Sequence, residues 1–365
     1  MSRVVVVGGG VAGSSAAWHL AGRGHDVTLL EQFEQGHDRG SSHGSSRIFR
    51  LAYPDAFYVG LTTRALSLWR RLEKETGRDV LTLTGAVDHG PTRAIEALAA
   101  TLASAGHDHE RLEPAAAAER WPGLRLDTAA LFHPDAGRLH AGDAVAALQQ
   151  GATQRGADVR HHAPVERISV RDNGGVQVHT AASTLAADAV VVAVGGWAPV
   201  TLSELGIPAP ALRVTQEQPA HFPAENPLTW PSFIHHGGGG LAADSGVYGL
   251  GSIDGVKIGF HAVGPTVRDP NGRDRAIDEA AQARLQDYAT RWLPGIDASR
   301  PTSTTCLYTI SPDHDFVIDR HGPVTVLSAC SGHGFKFGSV LGELAADLVE
   351  GRPGAQRFAF ARGGT

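Results

Sequence analysis

The sequence predicts an α/β protein in which a parallel-sheet domain is interrupted by a second, mainly antiparallel-sheet domain. Three observations carry this. The runs 3–7 (RVVVV), 187–194 (ADAVVVAV) and 322–329 (GPVTVLSA) are near-continuous and apolar, as suits strands buried on both faces of a parallel sheet. Between the second and third, residues 208–262 carry Pro, Gly and alternating polar positions, the mark of an antiparallel sheet. A chain of 365 residues is also too long for one typical core, so two domains are expected. The boundaries fall at 1–84, 139–208 and 300–365 for the discontinuous parallel-sheet domain, and at 85–138 and 209–299 for the inserted one.

The elements follow in order. Strand 3–7 runs into Gly8-Gly9-Gly10-Val11-Ala12-Gly13. SSAAWHLAGRG then reads as a helix closed by Gly22 and Gly24. A second strand, 25–30, ends at Glu31, completing a βαβ start. Residues 60–76 have helical spacing, 90–130 read as mostly Ala-rich helix, and 143–156 form a further helix. Strands over 165–178 flank the turn Asp172-Asn173-Gly174-Gly175, and 338–350 form the last helix.

Gly8, Gly10 and Gly13 match G-x-G-x-x-G after a strand and at the opening of a helix. Gly8 permits the tight turn, Gly10 lets a pyrophosphate approach the backbone at the helix N-terminus, and Gly13 allows close helix–strand packing. Glu31 lies where an acid binds a ribose 2′-hydroxyl, which favours NAD or FAD over NADP. The fingerprint does not choose between those two.

Composition excludes other classes. Apolar content of 42% with 19% charged residues is that of a soluble globular protein. A net charge of −6 with scattered Arg residues leaves no nucleic-acid footprint. No apolar run approaches the roughly 20 residues that span a bilayer, so no membrane partner is expected. Two cysteines make no disulfide framework, and the N-terminus has no signal-peptide character, so the expected location is cytoplasmic. His107-Asp108-His109 and His235-His236 lack a ligand-type spacing; they read as surface loops, and no metal is expected.

Three further stretches decide the cofactor. Gly40-Ser41-Ser42-His43-Gly44-Ser45-Ser46-Arg47-Ile48-Phe49-Arg50 is a Gly/Ser loop with one His and two Arg. Cys306-Leu307-Tyr308-Thr309 and Ser331-Gly332-His333-Gly334-Phe335-Lys336-Phe337 lie near the other end. With the glycine turn, these resemble the monomeric sarcosine oxidase and N-methyltryptophan oxidase family of D-amino-acid-oxidase-like flavoproteins. The likeness is strongest over 3–76 and 304–349 and loose over 85–245.

The resemblance implies a Rossmann-type FAD-binding domain with an inserted substrate domain, acting as a monomer. FAD would be held by Gly8, Gly10, Val11, Ala12, Gly13, Glu31 and Ser42, with Val165 on the adenine side and Gly195 and Trp197 near the pyrophosphate. Gly332, Gly334, Phe335 and Lys336 would complete its site, and Cys306 would join the flavin as an 8α-S-cysteinyl thioether. Cys330, just ahead of Ser331, is expected to be an inert packing thiol near the flavin.

It also implies the chemistry: oxidation of the C–N bond of a secondary (N-methyl or cyclic) amino acid to an imine, with O2 reduced to H2O2. Arg50 and Lys336 would grip the substrate carboxylate, a task suited to a two-pronged and a point cation. Arg47 would support the flavin ring, with His43 helping to build the pocket. Lys257 falls in Lys257-Ile258-Gly259-Phe260-His261, at the position of the family's oxygen-activating lysine. His261, Tyr308 and Tyr248 would line the substrate pocket, although the segment from Tyr248 to Lys257 is shorter than the family's. No strong protein base is evident, so the amine must bind neutral. The alternatives are a flavin dehydrogenase with another acceptor, a nicotinamide-dependent dehydrogenase, and a flavin-binding protein without turnover.

Overall fold

In the computed structural model, which describes residues 1–172, 174–240 and 246–362, the strand Arg3–Val7 sits inside a six-stranded sheet. Its neighbours are Asp26–Leu30 on one side and Ala189–Val192 on the other, both parallel. Asp158–Arg160 and Val324–Ser328 extend the sheet in parallel, and Val317–His321 closes one edge antiparallel. Val4 and Val6 face a core formed with the helices Val11–Gly22, Ala56–Thr76, Ala141–Gln154 and Gly338–Val349. Val5 and Val7 face a second core under the antiparallel strands Val165–Val170, Val176–Thr180 and Thr184–Ala187. Burial on both faces is why these strands read as unbroken apolar runs.

The eight-stranded sheet has its own core. It runs in the order Thr302–Ser303, Ala220–Phe222, Gly255–Phe260, Gly246–Ser252, Ser232–His236, Ala86–His89, Ala130–His133, Glu110–Leu112. Every pairing in it is antiparallel except Ser232–His236 with Ala86–His89. One face packs Phe222, Phe233, Val247 and Ile258 against Leu285, Tyr288 and Ala289 of the helix Glu279–Trp292. The other face carries Tyr248, Ile234 and Asp88, which register sets side by side, and Lys257, whose partner Leu250 lies two residues from Tyr248.

Some expectations change. Helix in 90–130 is limited to Thr92–Ser104 and Pro114–Arg120, with the strand Glu110–Leu112 between them. Ala residues alone do not sustain a helix where the chain is needed as a sheet edge. The run 187–194 divides, since Thr184–Ala187 pairs antiparallel and Ala189–Val192 joins the parallel sheet. His235 and His236 lie in the strand Ser232–His236, not in a surface loop, and His235 is buried. Successive strand residues point to opposite faces. His235 therefore stacks on His89 with ring centroids 4.1 Å apart, while His236 bonds Asp88 on the other side. Asn173 of the expected turn, and 241–245 of the expected antiparallel segment, lie outside the described residues. Among the described residues no helix is long and apolar enough to cross a membrane.

Candidate active site

One cavity of about 1540 Å³ runs from the Gly8 turn to Lys336. Pockets for one small molecule span roughly 300–1,000 Å³, so this cavity has room for a dinucleotide together with a second ligand. Its wall includes every cofactor, substrate and catalytic residue expected from the sequence except Gly13. Gly13 packs behind the turn instead.

The glycine turn is built so that no side chain fits. A Cβ on Gly13 would lie 1.9 Å from the Gly8 carbonyl oxygen. Gly8 has φ +101°, and a Cβ there would come 2.5 Å from the Ala193 carbonyl. Bare backbone therefore faces the cavity at the start of the helix Val11–Gly22. Glu31 accepts from Gly9 N at 2.6 Å and from Phe33 N at 2.9 Å. Burial opposes its ionisation, but hydrogen bonds from His37 and from those two amides outweigh it and hold the carboxyl below the ordinary glutamate value. Ser42 Oγ accepts from Val11 N at 3.1 Å, so the Gly/Ser loop is pinned to the helix start. Val165, Gly195 and Trp197 line the same end. This bare turn with its fixed acid fits the pyrophosphate and ribose of FAD.

The far end is assembled from distant segments. Ser41 Oγ donates to the Leu307 carbonyl at 2.6 Å, tying the Gly/Ser loop to the strand Cys306–Ile310. Cys306 and Tyr308 are two apart on that strand and share its cavity face. Arg47 donates to the carbonyls of Ser46 and Ser41 at 2.8 and 2.9 Å, and its guanidinium lies over the Phe335 ring at 5.6 Å. Gly332 has φ +77°, and a Cβ there would strike His261 Cε1 at 2.6 Å and Tyr308 Cε2 at 2.7 Å. The shorter hairpin keeps its register: Leu250 pairs with Lys257 and Tyr248 with Gly259, so Tyr248 and Lys257 share the cavity face. Gly334, Phe335 and Lys336 belong to the turn Gly334–Phe337, and Gly334 is so tight that a Cβ would lie 1.7 Å from the Ala329 carbonyl.

Burial governs the titrating groups. Desolvation, aided by Arg47, brings Lys257 down to about 7, and among the described residues its Nζ has one hydrogen bond, to the Ser46 carbonyl at 3.4 Å. Lys336 is lowered well below its ordinary value by burial and by Arg50. Burial pushes His43 down to about 3 and His261 to about 4, so both imidazoles are neutral. Burial raises the Cys306 thiol, while Arg47 and Lys257 pull the other way. Cys330 also lines the cavity, half-buried, with its thiol raised by burial.

Sequence reasoning missed three residues here. Tyr53 accepts from Lys336 Nζ at 2.9 Å, and its hydroxyl lies 3.1 Å from His333 Nδ1. His333 Nε2 lies 3.2 Å from the His314 carbonyl, which fixes Nε2 as the donor and Nδ1 as the acceptor from Tyr53. Tyr53 follows Arg50 by three, the one signal that could have found it. Asp88 and His236 sit behind Arg50, and nothing local marks them.

The comparisons with known proteins agree with this geometry. The model of the FAD dependent oxidoreductase family matches residues 3–348. The monomeric sarcosine oxidase of Streptomyces avermitilis is 38% identical over 364 residues, covering 95% of this chain and 93% of that protein. The N-methyl-L-tryptophan oxidase of Citrobacter koseri is 30% identical over 365 residues, covering 96% and 95%. Among solved structures, NikD, an amino acid oxidase essential for nikkomycin biosynthesis, superposes with a TM-score of 0.84 at 28% identity, covering 98% of this chain and 97% of that one. L-proline dehydrogenase from P. horikoshii shares the fold, with a TM-score of 0.83 at 23% identity, covering 96% of this chain and 94% of that one. The chain belongs to the FAD-dependent oxidoreductases of the D-amino-acid-oxidase type, in the group of the monomeric sarcosine and N-methyltryptophan oxidases.

Proposed function

We propose that this flavoprotein amine oxidase oxidises the C–N bond of a secondary amino acid, N-methyl or cyclic, to an imine and passes the electrons to O2. The observation that carries the reading is convergence: Arg50, Lys257, Cys306 and Lys336, from four separate segments, line one cavity continuous with the glycine turn. FAD, when bound, supplies the acceptor for the hydrogen and electron pair that leave the carbon beside the amine nitrogen. Gly8, Gly10 and the amides that open the first helix would hold its pyrophosphate, Glu31 its ribose, and Cys306 Sγ the proposed covalent thioether.

The chain's own groups do the rest. Arg50 and Lys336 bind the substrate carboxylate, which restores the Lys336 charge that burial suppresses. Tyr248, Tyr308 and His261 wall the pocket and exclude water. His261 and His43 are neutral, so neither adds a further cation to the pocket. Lys257 sets a cation where O2 is reduced, which lowers the cost of the first electron because superoxide is anionic. The proposed division is 1–84, 139–208 and 300–365 for FAD, and 85–138 and 209–299 for substrate. A monomer in the cytoplasm is the matching state.

The test is a peroxide-coupled assay of the purified holoenzyme against N-methyl and cyclic amino acids. Peroxide from at least one is expected. Turnover only with an artificial acceptor would leave a dehydrogenase, and no turnover with either would end the reading. For the tether, Cys306→Ser should release FAD on acid precipitation while Cys330→Ser keeps it. Release from both, or from neither, would refute the assignment to Cys306.

A further inference from the structure

Asp88 is fully buried on the strand Ala86–His89, where register sets it beside Ile234, whose other neighbour is the pocket residue Tyr248. One carboxylate oxygen takes a hydrogen bond from Arg50 Nη1 at 3.3 Å and another from His236 Nε2 at 2.8 Å. The other oxygen faces His133 Nε2 at 3.7 Å, beyond ordinary hydrogen-bond distance. His133 is itself buried, and among the described residues neither ring nitrogen has a hydrogen-bond partner. Arg50 thus spends Nη1 on Asp88 and on the Ala52 carbonyl. Among the described residues no protein partner is recorded for its Nε or Nη2. That edge, on a half-buried side chain in the cavity wall, is the two-pronged donor that a carboxylate fits.

Charge completes the argument. Two cations, Arg50 and Lys336, face the expected carboxylate, and Asp88 stands directly behind one of them. Once the bound carboxylate has restored the Lys336 charge, two positive charges less one negative leave a single positive charge, enough to balance that one carboxylate. Arg47 and Lys257, also in the cavity wall, are assigned to the flavin and O2; a second anionic group on the ligand beside Arg50 would instead be repelled by Asp88. His236 lines the cavity but already donates to Asp88, so it does not offer that proton to a ligand.

We propose that Asp88 is a specificity-determining residue: it positions Arg50 through Nη1 and sets the local charge so that the pocket takes a monocarboxylate and rejects a substrate with a second acidic group. This rests on the reading that Arg50 grips a carboxylate. It goes beyond that reading by naming the substrate class as amino acids without a second acidic group.

The test uses the purified holoenzyme titrated with butyrate and succinate, similar in size but differing by one carboxylate, with binding followed by calorimetry. The unaltered protein should bind butyrate the more tightly. Asp88→Asn keeps an acceptor for Arg50 and His236, and its new amide can donate to the unbonded His133 Nε2, so the fold should hold. In that variant succinate should gain roughly tenfold more affinity than butyrate, the scale of one charge interaction at a partly buried site. Glu96→Gln removes an equal charge from an exposed side chain and should leave the ratio unchanged. An unchanged ratio in Asp88→Asn, or succinate binding as tightly as butyrate in the unaltered protein, would overturn the proposal while leaving the Arg50 grip intact. Failure to bind either ligand would overturn the grip as well.

Discussion

The two ends of the cavity are built by different rules. At the glycine turn the ligand meets backbone, and what matters is the absence of side chains over a few consecutive residues. At the Arg50 end the ligand meets side chains drawn from the strand Arg47–Phe49 and its exit, the eight-stranded sheet, the strand Cys306–Ile310 and the turn Gly334–Phe337. The first end tolerates almost no change at Gly8 or Gly13, since an added atom there collides with fixed backbone. The second is a set of charges and hydrogen bonds whose members can be removed singly at graded cost.

The sharpest break in that comparison is Gly13→Val. A Cβ there would lie 1.9 Å from the Gly8 carbonyl, and a branched side chain worsens the clash. The cost should exceed about 3 kcal/mol, a large share of ordinary domain stability. The expected outcome is protein that is insoluble or free of FAD, read from the ratio of visible to ultraviolet absorbance and from Tm. Full FAD loading with an unchanged Tm would mean the turn is far more plastic than its packing implies.

At the other end, Lys336→Met should leave the fold and the flavin in place while weakening substrate. Losing a charge-assisted hydrogen bond costs about 2 kcal/mol, roughly thirtyfold in KM. Tyr53→Phe removes the link between Lys336 and His333 but keeps the ring and the Lys336 bond to the His333 carbonyl at 2.8 Å. Its cost should be about 1 kcal/mol, roughly fivefold in KM. Steady-state kinetics on one good substrate would measure both. Equal effects from the two variants would mean Lys336 does not itself meet the ligand.

The same contrast explains what could be read from the sequence. The glycine turn, its strand, its helix and Glu31 are contiguous or nearly so, and each has a local physical reason, so they were legible. Cys306, Tyr308 and Lys336 were legible through short motifs. Tyr53, Asp88 and His236 were not. Asp88 acquires its meaning from a strand pairing with Ser232–His236 and from Arg50, 38 residues away in the chain. Such contacts leave no periodicity or spacing. The reading of His235 and His236 as a loop failed for a related reason. Two adjacent histidines look polar and exposed, yet a buried strand between two layers satisfies each on its own side, His235 at Tyr288 Oη and His236 at Asp88.

The smallest effect expected is a titration, and its sign is fixed. Lys257 is lowered from its ordinary value to about 7, chiefly by burial and then by Arg47. It is therefore charged below about pH 7 and neutral above. If its charge speeds electron transfer to O2, reoxidation should slow as pH rises through that midpoint. An anion brought beside Lys257 by ligand binding would move the midpoint up and leave the direction unchanged. Arg47 is the neighbour that holds the value down, so Arg47→Met should shift the fall to higher pH. Rapid-mixing measurements of reoxidation between roughly pH 6 and 9 would follow this on the holoenzyme, a range that brackets the midpoint. In Lys257→Met the rate should be lower throughout and flat over the same range. A rate in the unaltered protein that rises with pH, or that is as flat as in Lys257→Met, would remove Lys257 from the oxygen step and leave it as a buried partner of the Ser46 carbonyl.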